Sequence, residues 1–353
     1  MSSLCSYSSI WEKLKSAWQL QPYSNLLMNF HVACTRSNFN RFLAFYTILI
    51  FANAFLLHFS DWNLFYAKKT PRKYVGYHLG WGRLGNQLFH LITGYGIART
   101  LHRTHYLPSG RAKNHVERYL IYIAKVFPRL RHTYVFADIG VAQTEVKFAD
   151  RWNSYSNPLR LNNLTDQYLL LNNSFLQNRK YFEGYLRDIR SLLKFSEEVR
   201  KNGIEELRLL KNHTESMCVH VRMTDFIQWE RASDMNSTVK AARSIAKKMN
   251  ISHFMIFGDD KEFMANMSQA IVSGEWRDDA VIVSHYEESI DLFLASQICS
   301  SFLISAPTST FGWWLAFFVS NQNAVYYLNG THARGNLSLK KDMLLKSWRL
   351  YTD

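Results

Sequence analysis

Five short apolar runs decide the fold: SMCVHVR at 216–222, FMIF at 254–257, AVIVS at 280–284, SFLIS at 301–305 and AVYYL at 324–328. Each has the length and apolar density of a buried strand. Between them lie helix candidates at Ser237–Met249, Lys261–Ile271, Ile290–Cys299 and Ser309–Val319. Strand alternating with helix predicts a parallel sheet covered by helices.

A second set stands upstream. Tyr74–Leu79 is a strand candidate and runs into the glycine-rich turn Gly80–Gln87. Leu88, Leu91, Ile92, Tyr95, Ile97 and Leu101 then recur at helical spacing, and Thr104–Pro108 reads as a second strand. That is a βαβ opening. Residues 109–180 read as irregular and polar apart from Tyr119–Val126. Phe195–Leu210 is a charged amphipathic helix candidate, and the boundary between lobes falls close after it. The expected fold is α/β, with two Rossmann-type lobes at 74–212 and 213–353.

Composition narrows the function classes. The chain has 353 residues, 47% hydrophobic and 15% aromatic, which suffices for a large core and excludes a disordered or repeat protein. The formal net charge is +14, yet the basic residues are spread along the chain. No zinc-finger, RNA-recognition or basic-helix signature accompanies them, so nucleic acid is not an expected partner. The four cysteines, Cys5, Cys34, Cys218 and Cys299, have no C-x-x-C spacing. Cys218 and Cys299 lie in apolar runs, as buried thiols or as one disulfide.

Phe42–Phe59 reads FLAFYTILIFANAFLLHF and carries no Lys, Arg, Asp or Glu. As a helix it spans about 27 Å, close to the roughly 30 Å of a hydrocarbon core. Flanking charge does not orient it: Arg36 and Arg41 precede it, while Lys68, Lys69, Arg72 and Lys73 follow. Acceptor triplets for N-glycosylation do. Asn163, Asn172, Asn212, Asn236, Asn250, Asn266, Asn329 and Asn336 each begin N-x-S/T, and none lies in 1–41. Asn266, in a helix candidate, is the least suited to occupancy. The expected order is a cytoplasmic tail (1–41), a signal anchor (42–59), a stem (60–73) and a luminal region. The expectation is a single-pass type II membrane protein of the Golgi, with one membrane span.

Ligands of open α/β sheets bind at the carboxyl ends of the strands. Four places qualify. His220 and Arg222 lie on one face at the end of a strand, followed by Met223, Thr224, Asp225 and Phe226; an arginine fork there suits a phosphate, and an Arg222–Asp225 ion pair is the structural alternative. Ser309, Thr310 and Phe311 open a helix, where capping and anion binding share one geometry. Gly82 and Gly85, with Asn86, let backbone approach a ligand closely. Asp259-Asp260 follows a strand, but without D-x-D spacing; it can hold a cation, meet a nucleoside or cap the next helix.

At these residues the chain resembles the α-1,2-fucosyltransferases, an inverting, GDP-fucose-dependent family. Gly82-Arg-Leu-Gly85-Asn86-Gln-Leu-Phe89 is similar to the family's G-G/R-L-G-N-Q-x-F motif, and Phe182-Glu-Gly-Tyr185 to its aromatic G-Y stretch. His220–Phe226 resembles H-x-R-R-x-D-Y/F, Phe257–Asp260 a strand end of bacterial members, and Asp291–Trp314 the D-x-x-L-x-x-x-S-Q…S-T-F-S/G-W-W block. The resemblance covers about 75 to 328. It implies a GT-B-like fold, with an acceptor lobe first and a nucleotide-sugar lobe second. It implies GDP-β-L-fucose as donor, the 2-hydroxyl of a galactose-terminated glycan as acceptor, and no metal or other cofactor. Arg222 would hold the diphosphate beside His220, Thr310 and Phe311 would offer backbone donors, and Asp259 or Asp291 would meet the guanosine. Asp225 is the nearest carboxylate for a catalytic base.

One position departs: the motif's second arginine is Met223. A GDP- or sugar-binding relative with impaired transfer is therefore one alternative, and a fucosyltransferase of another linkage or acceptor is the other. Oligomeric state stays open, with a homodimer as a candidate.

Overall fold

The computed structural model describes residues 43–55, 71–108, 113–137, 140–173, 175–210, 213–273, 277–329 and 341–352. The chain divides into two compact units, Met1–Thr70 and Pro71–Asp353. In the first, residues 43–55 are helical and expose every side chain. Among the described residues no helix is long and apolar enough to cross a membrane; of the expected span, 42–59, residues 43–55 are described. The expected tail (1–41) and most of the stem lie outside the described residues.

The second unit holds two parallel sheets. In chain order the first contains β1 (Tyr74–Tyr77), α1 (Leu84–Thr100), β2 (Thr104–Leu107), α2 (Lys113–Val126), β3 (Tyr134–Phe136), β4 (Thr144–Lys147) and β5 (Tyr168–Asn172), with strand order β3-β2-β1-β5-β4. Two helices follow, α3 (Leu186–Leu192) and α4 (Glu197–Leu209). Ser196 starts α4, its hydroxyl accepting from the Val199 amide.

The second sheet contains β6 (Ser216–Val221), α5 (Met235–Met249), β7 (His253–Gly258), α6 (Lys261–Val272), β8 (Val281–Val283), α7 (Glu288–Ile298), β9 (Cys299–Ile304), α8 (Thr310–Phe318), β10 (Val325–Tyr327) and β11 (Arg349–Leu350). Its order is β11-β10-β9-β6-β7-β8, and the pairings in both sheets are parallel. All six residues of β6 are buried, as a central strand covered on both faces requires.

Three expectations change. The stretch read as irregular supplies β3, β4 and β5, and β5 pairs with β1 along its whole length. Its sequence, YLLLN, is buried on both faces and so shows no alternation to betray a strand. The element expected at 119–126 is a helix that runs from Lys113 to Val126. Val325–Tyr327 is not the last strand: two residues at 349–350 add an edge, too short to register as a pattern. The cysteines of the apolar runs are joined, with Cys218 of β6 bonded to Cys299 at the start of neighbouring β9.

α1 is buried on nearly every side, with even Gln87, His90 and Thr93 enclosed. It packs on β1 and β2 and also on α8, so one helix contacts both halves of the unit. Phe89 of α1 meets Trp313 and Trp314 of α8 with ring centroids 4.9 and 5.1 Å apart. Aromatic contacts of this kind add roughly 0.5–1.5 kcal/mol each beyond burial. They fix where the first turns of α1 and α8 stand.

Candidate active site

The carboxyl ends of β6 and β7, the first turn of the helix Glu288–Ile298 and the first turns of α1 and α8 surround one cavity of about 700 Å³. Arg222 is the first residue beyond β6. Its guanidinium lies 2.6 Å from Asp225 and 3.0 Å from Asp259, and it covers the Phe226 ring at 5.3 Å. Asp225 stands in the single helical turn Thr224–Ile227, and Asp259 follows β7. Asp259 also accepts from the Met223 amide at 2.8 Å and from the Thr224 hydroxyl. From the N-terminal end of α1, Arg83 approaches the same carboxylates, 3.9 Å from Asp225 and 3.7 Å from Asp259.

The structural alternative for Arg222 is thus present, and so is the cavity that a ligand would need. Asp225 is about half exposed and engaged by Arg222, which makes it an orienting partner of the guanidinium. The acidic pair splits. Asp259 faces the cavity, whereas Asp260 caps α6 by accepting from the Phe263 amide at 2.9 Å. Among the described residues no group of three His, Cys, Asp or Glu side chains is placed to hold a metal.

His220 is 1% exposed and still lines the cavity. Burial pulls its pKa down to about 4, so the ring is neutral at ordinary pH; its Nδ1 has no hydrogen-bond partner. Gly312 makes the room: a Cβ there would stand 2.4 Å from that nitrogen. Ser309 caps α8 through the Gly312 amide at 3.4 Å. The amides of Thr310 and Phe311 have no acceptor among the described residues. Unsatisfied N–H groups at a helix start favour an anion.

Across the cavity, the Thr310 hydroxyl donates to Asn86 Oδ1 at 2.8 Å, and Gln177 donates to the same oxygen at 3.0 Å. The Trp314 indole donates to Gly85 O at 3.0 Å. A Cβ on Gly85 would sit 2.6 Å from the Phe311 nitrogen. Gly82 has φ +139°, and its carbonyl accepts from Gln87, as does that of Gly80. The glycine turn therefore serves close approach between the two halves.

Asp291, on α7, is 6% exposed and accepts from the Ser284 hydroxyl. Burial raises its pKa to about 7, and burial also raises that of Glu288; both carboxyls line the cavity. The lining residues that sequence reasoning passed over include Trp152, Phe175, Gln177, Trp229, Arg231 and Tyr286. The first three come from the stretch that showed no pattern.

The signature of glycosyl transferase family 11 matches residues 82–352. The chain belongs to glycosyl transferase family 11. The match spans both sheets and begins at Gly82. Among relatives of this family 11 chain, a provisionally named glycosyltransferase of Caenorhabditis elegans is 30% identical over 285 residues, covering 74% of this chain and 73% of that protein. A C. elegans protein named galactoside 2-alpha-L-fucosyltransferase is 28% identical over 255 residues, covering 69% of each. The resemblance to α-1,2-fucosyltransferases thus meets both a family match and a named relative. Among solved structures, Arabidopsis thaliana FUT1 in complex with GDP superposes with a TM-score of 0.44 at 10% identity, covering 74% of this chain and 71% of that one. That likeness is too loose to carry an argument.

Proposed function

We propose that this family 11 chain transfers L-fucose from GDP-β-L-fucose to the 2-hydroxyl of a galactose-terminated glycan, with inversion and without a metal. The observation that carries the reading is the meeting of Arg222, His220 and the unsatisfied amides of Thr310 and Phe311 on one cavity. A departing nucleoside diphosphate develops negative charge, and fixed donors aimed at it lower the barrier. In this reading Arg222 and the start of α8 hold the diphosphate, and His220 closes the wall beside it as a neutral ring. Asp291 or Asp259 meets the guanosine. Asp225 is released from Arg222 as the donor takes the guanidinium, which leaves a carboxylate near the acceptor hydroxyl. The partly exposed rings of Trp152, Phe175 and Trp229 along the cavity suit the apolar faces of a sugar.

The lumen of the Golgi, reached through a single N-terminal anchor, is the setting that fits. Thr47 donates to Leu43 O at 2.8 Å and Asn53 to Leu49 O at 3.0 Å, so polar side chains of the 43–55 helix are satisfied within it, as lipid demands. The buried Cys218–Cys299 disulfide suits an oxidising compartment. Asn163, Asn172, Asn236, Asn250, Asn266 and Asn329 are all exposed, while Asn212 and Asn336 lie outside the described residues.

Met223 favours a second reading, a GDP-binding relative with little transfer. The test incubates the full-length chain in detergent, with chelator, with GDP-fucose, other GDP-sugars or UDP-sugars and with lactose or N-acetyllactosamine. Transfer from GDP-fucose to the galactose 2-hydroxyl is expected. Transfer to another hydroxyl moves the linkage; GDP binding without transfer selects the second reading; and no binding of any GDP compound ends both.

A further inference from the structure

Arg231 is a cation of the cavity with no counter-ion among the described residues. It lines the same space as Arg222, it is partly buried, and its Nε is enclosed without a hydrogen-bond partner. No carboxylate among the described residues pairs with it. Burial pulls its pKa down, with no opposing charge to restore it. Arg222 differs in having counter-ions, since Asp225 and Asp259 occupy its fork.

Its place is not accidental. The chain beyond β6 makes one helical turn and comes back. The Arg231 amide donates to Phe226 O at 3.0 Å, and Glu230, just before it, takes a left-handed φ of 51° to make the reversal. Two residues later the return is pinned to the strand end. Ser233 donates its amide to Arg222 O at 3.0 Å and accepts from the Arg222 amide at 2.9 Å. The Ser233 hydroxyl shares a hydrogen with Ser305, whose hydroxyl reaches His220 O at 2.7 Å. This serine pair fastens the 226–233 loop to β6 and β9, which brings Arg231 to the cavity that Arg222 and His220 border.

A desolvated guanidinium without a counter-ion is unfavourable unless an anion arrives from outside. Two further buried nitrogens of the cavity lack partners, Arg222 Nε and His220 Nδ1. The vacant donors therefore gather where one anionic group with several acceptor oxygens would satisfy them together. Position 223 offers no charge, and its amide is already given to Asp259.

We propose that Arg231 binds the donor's diphosphate alongside Arg222. This rests on the nucleotide-sugar reading above and extends it to a residue outside every motif. Arg231 touches the phosphates and takes no part in proton transfer.

The test is calorimetric titration of the full-length chain in detergent with GDP, GMP, guanosine and inorganic pyrophosphate. In the wild type, affinity should rise from guanosine to GMP to GDP. Arg231→Ala should weaken GDP and pyrophosphate at least ten-fold, GMP less, and guanosine not at all; Arg231→Lys should recover part of the loss. An unchanged thermal midpoint shows that the variant is folded, and Arg231→Lys stands in if alanine is not tolerated. Raising salt should weaken GDP binding less in Arg231→Ala than in the wild type. If the wild type binds GDP and both variants match it, the proposal is overturned while the donor reading survives. If the wild type ignores every GDP compound, both fall.

Discussion

The hydroxyl of Thr310 donates to Oδ1 of Asn86 at 2.8 Å, joining residues 224 apart in sequence. Asn86 lies in the first turn of α1 and Thr310 in the first turn of α8, so two helices from different sheets begin face to face. Gln177 completes the junction by donating to the same oxygen. The N–H groups of α8 that border the cavity are positioned by this contact as much as by their own sheet.

Asn86→Ala removes the acceptor of both bonds. Leaving two partly buried donors unsatisfied costs about 1–3 kcal/mol each, and the start of α8 loses its tether. Transfer should fall by more than ten-fold, with a Tm lower by several degrees. Transfer equal to wild type in the folded variant would mean that the junction holds shape without tuning the site.

Gly85→Ala places a Cβ 2.6 Å from the Phe311 nitrogen and 2.7 Å from Thr310 Oγ1. Backbone cannot yield as a side-chain tip does, so α1 and α8 must part. Overpacking of this kind costs typically 1–3 kcal/mol. The expected result is reduced Tm together with weaker GDP binding.

Arg222→Lys keeps the charge and loses the fork that spans Asp225 and Asp259. A charged hydrogen bond is worth roughly 1.5–3 kcal/mol, so GDP affinity should drop about ten- to hundred-fold by calorimetry, and transfer with it. Unchanged affinity would remove Arg222 from the donor site.

Asp291 sets a pH signature. Its folded pKa, raised by burial to about 7, lies above its ordinary value near 3.8. The folded state therefore holds this proton more tightly than the unfolded chain. That stabilisation is fully present below about pH 4 and is lost as pH rises through about 7. Asp291→Asn has no such loss, so its stability relative to wild type should grow with pH by a few kcal/mol over this window. Denaturant titrations at pH 5 and 8 measure it; a constant difference would show that Asp291 is ionised throughout. His220 works the other way. Its pKa, lowered by burial to about 4, withdraws stability as pH falls below its ordinary 6.5.

The C-terminal half was legible because its strands are apolar runs bounded by turn residues, and a parallel strand buried on both faces has that appearance. His220, Arg222 and Ser309–Phe311 were legible because strand ends and helix starts are where such sheets bind ligands. In the N-terminal half the opening through Thr104–Leu107, the element at 119–126 and the helix at 197–209 were legible, and the strands between them were not. In β5 the leucines lack alternation, and Trp152, Phe175 and Gln177 reach the cavity through tertiary contacts that no local spacing encodes. Arg231 escaped for the same reason: its position depends on Ser233 meeting Arg222 and Ser305, a relationship visible only after folding.

The bond between Cys218 and Cys299 bears on how the protein is made. The two residues are 81 apart in sequence yet belong to adjacent strands. β6 leaves the ribosome well before β9 and gains β7 on one side, while its other edge stays open. Contacts between distant segments form slowly and leave strand edges bare meanwhile. Cys218 is thus an unpaired thiol throughout this interval, and it finds its mate only once the sheet has its proper order. Oxidation then works as a late seal on a correctly assembled sheet, so a reducing environment during biosynthesis should trap the chain with its second sheet unfinished.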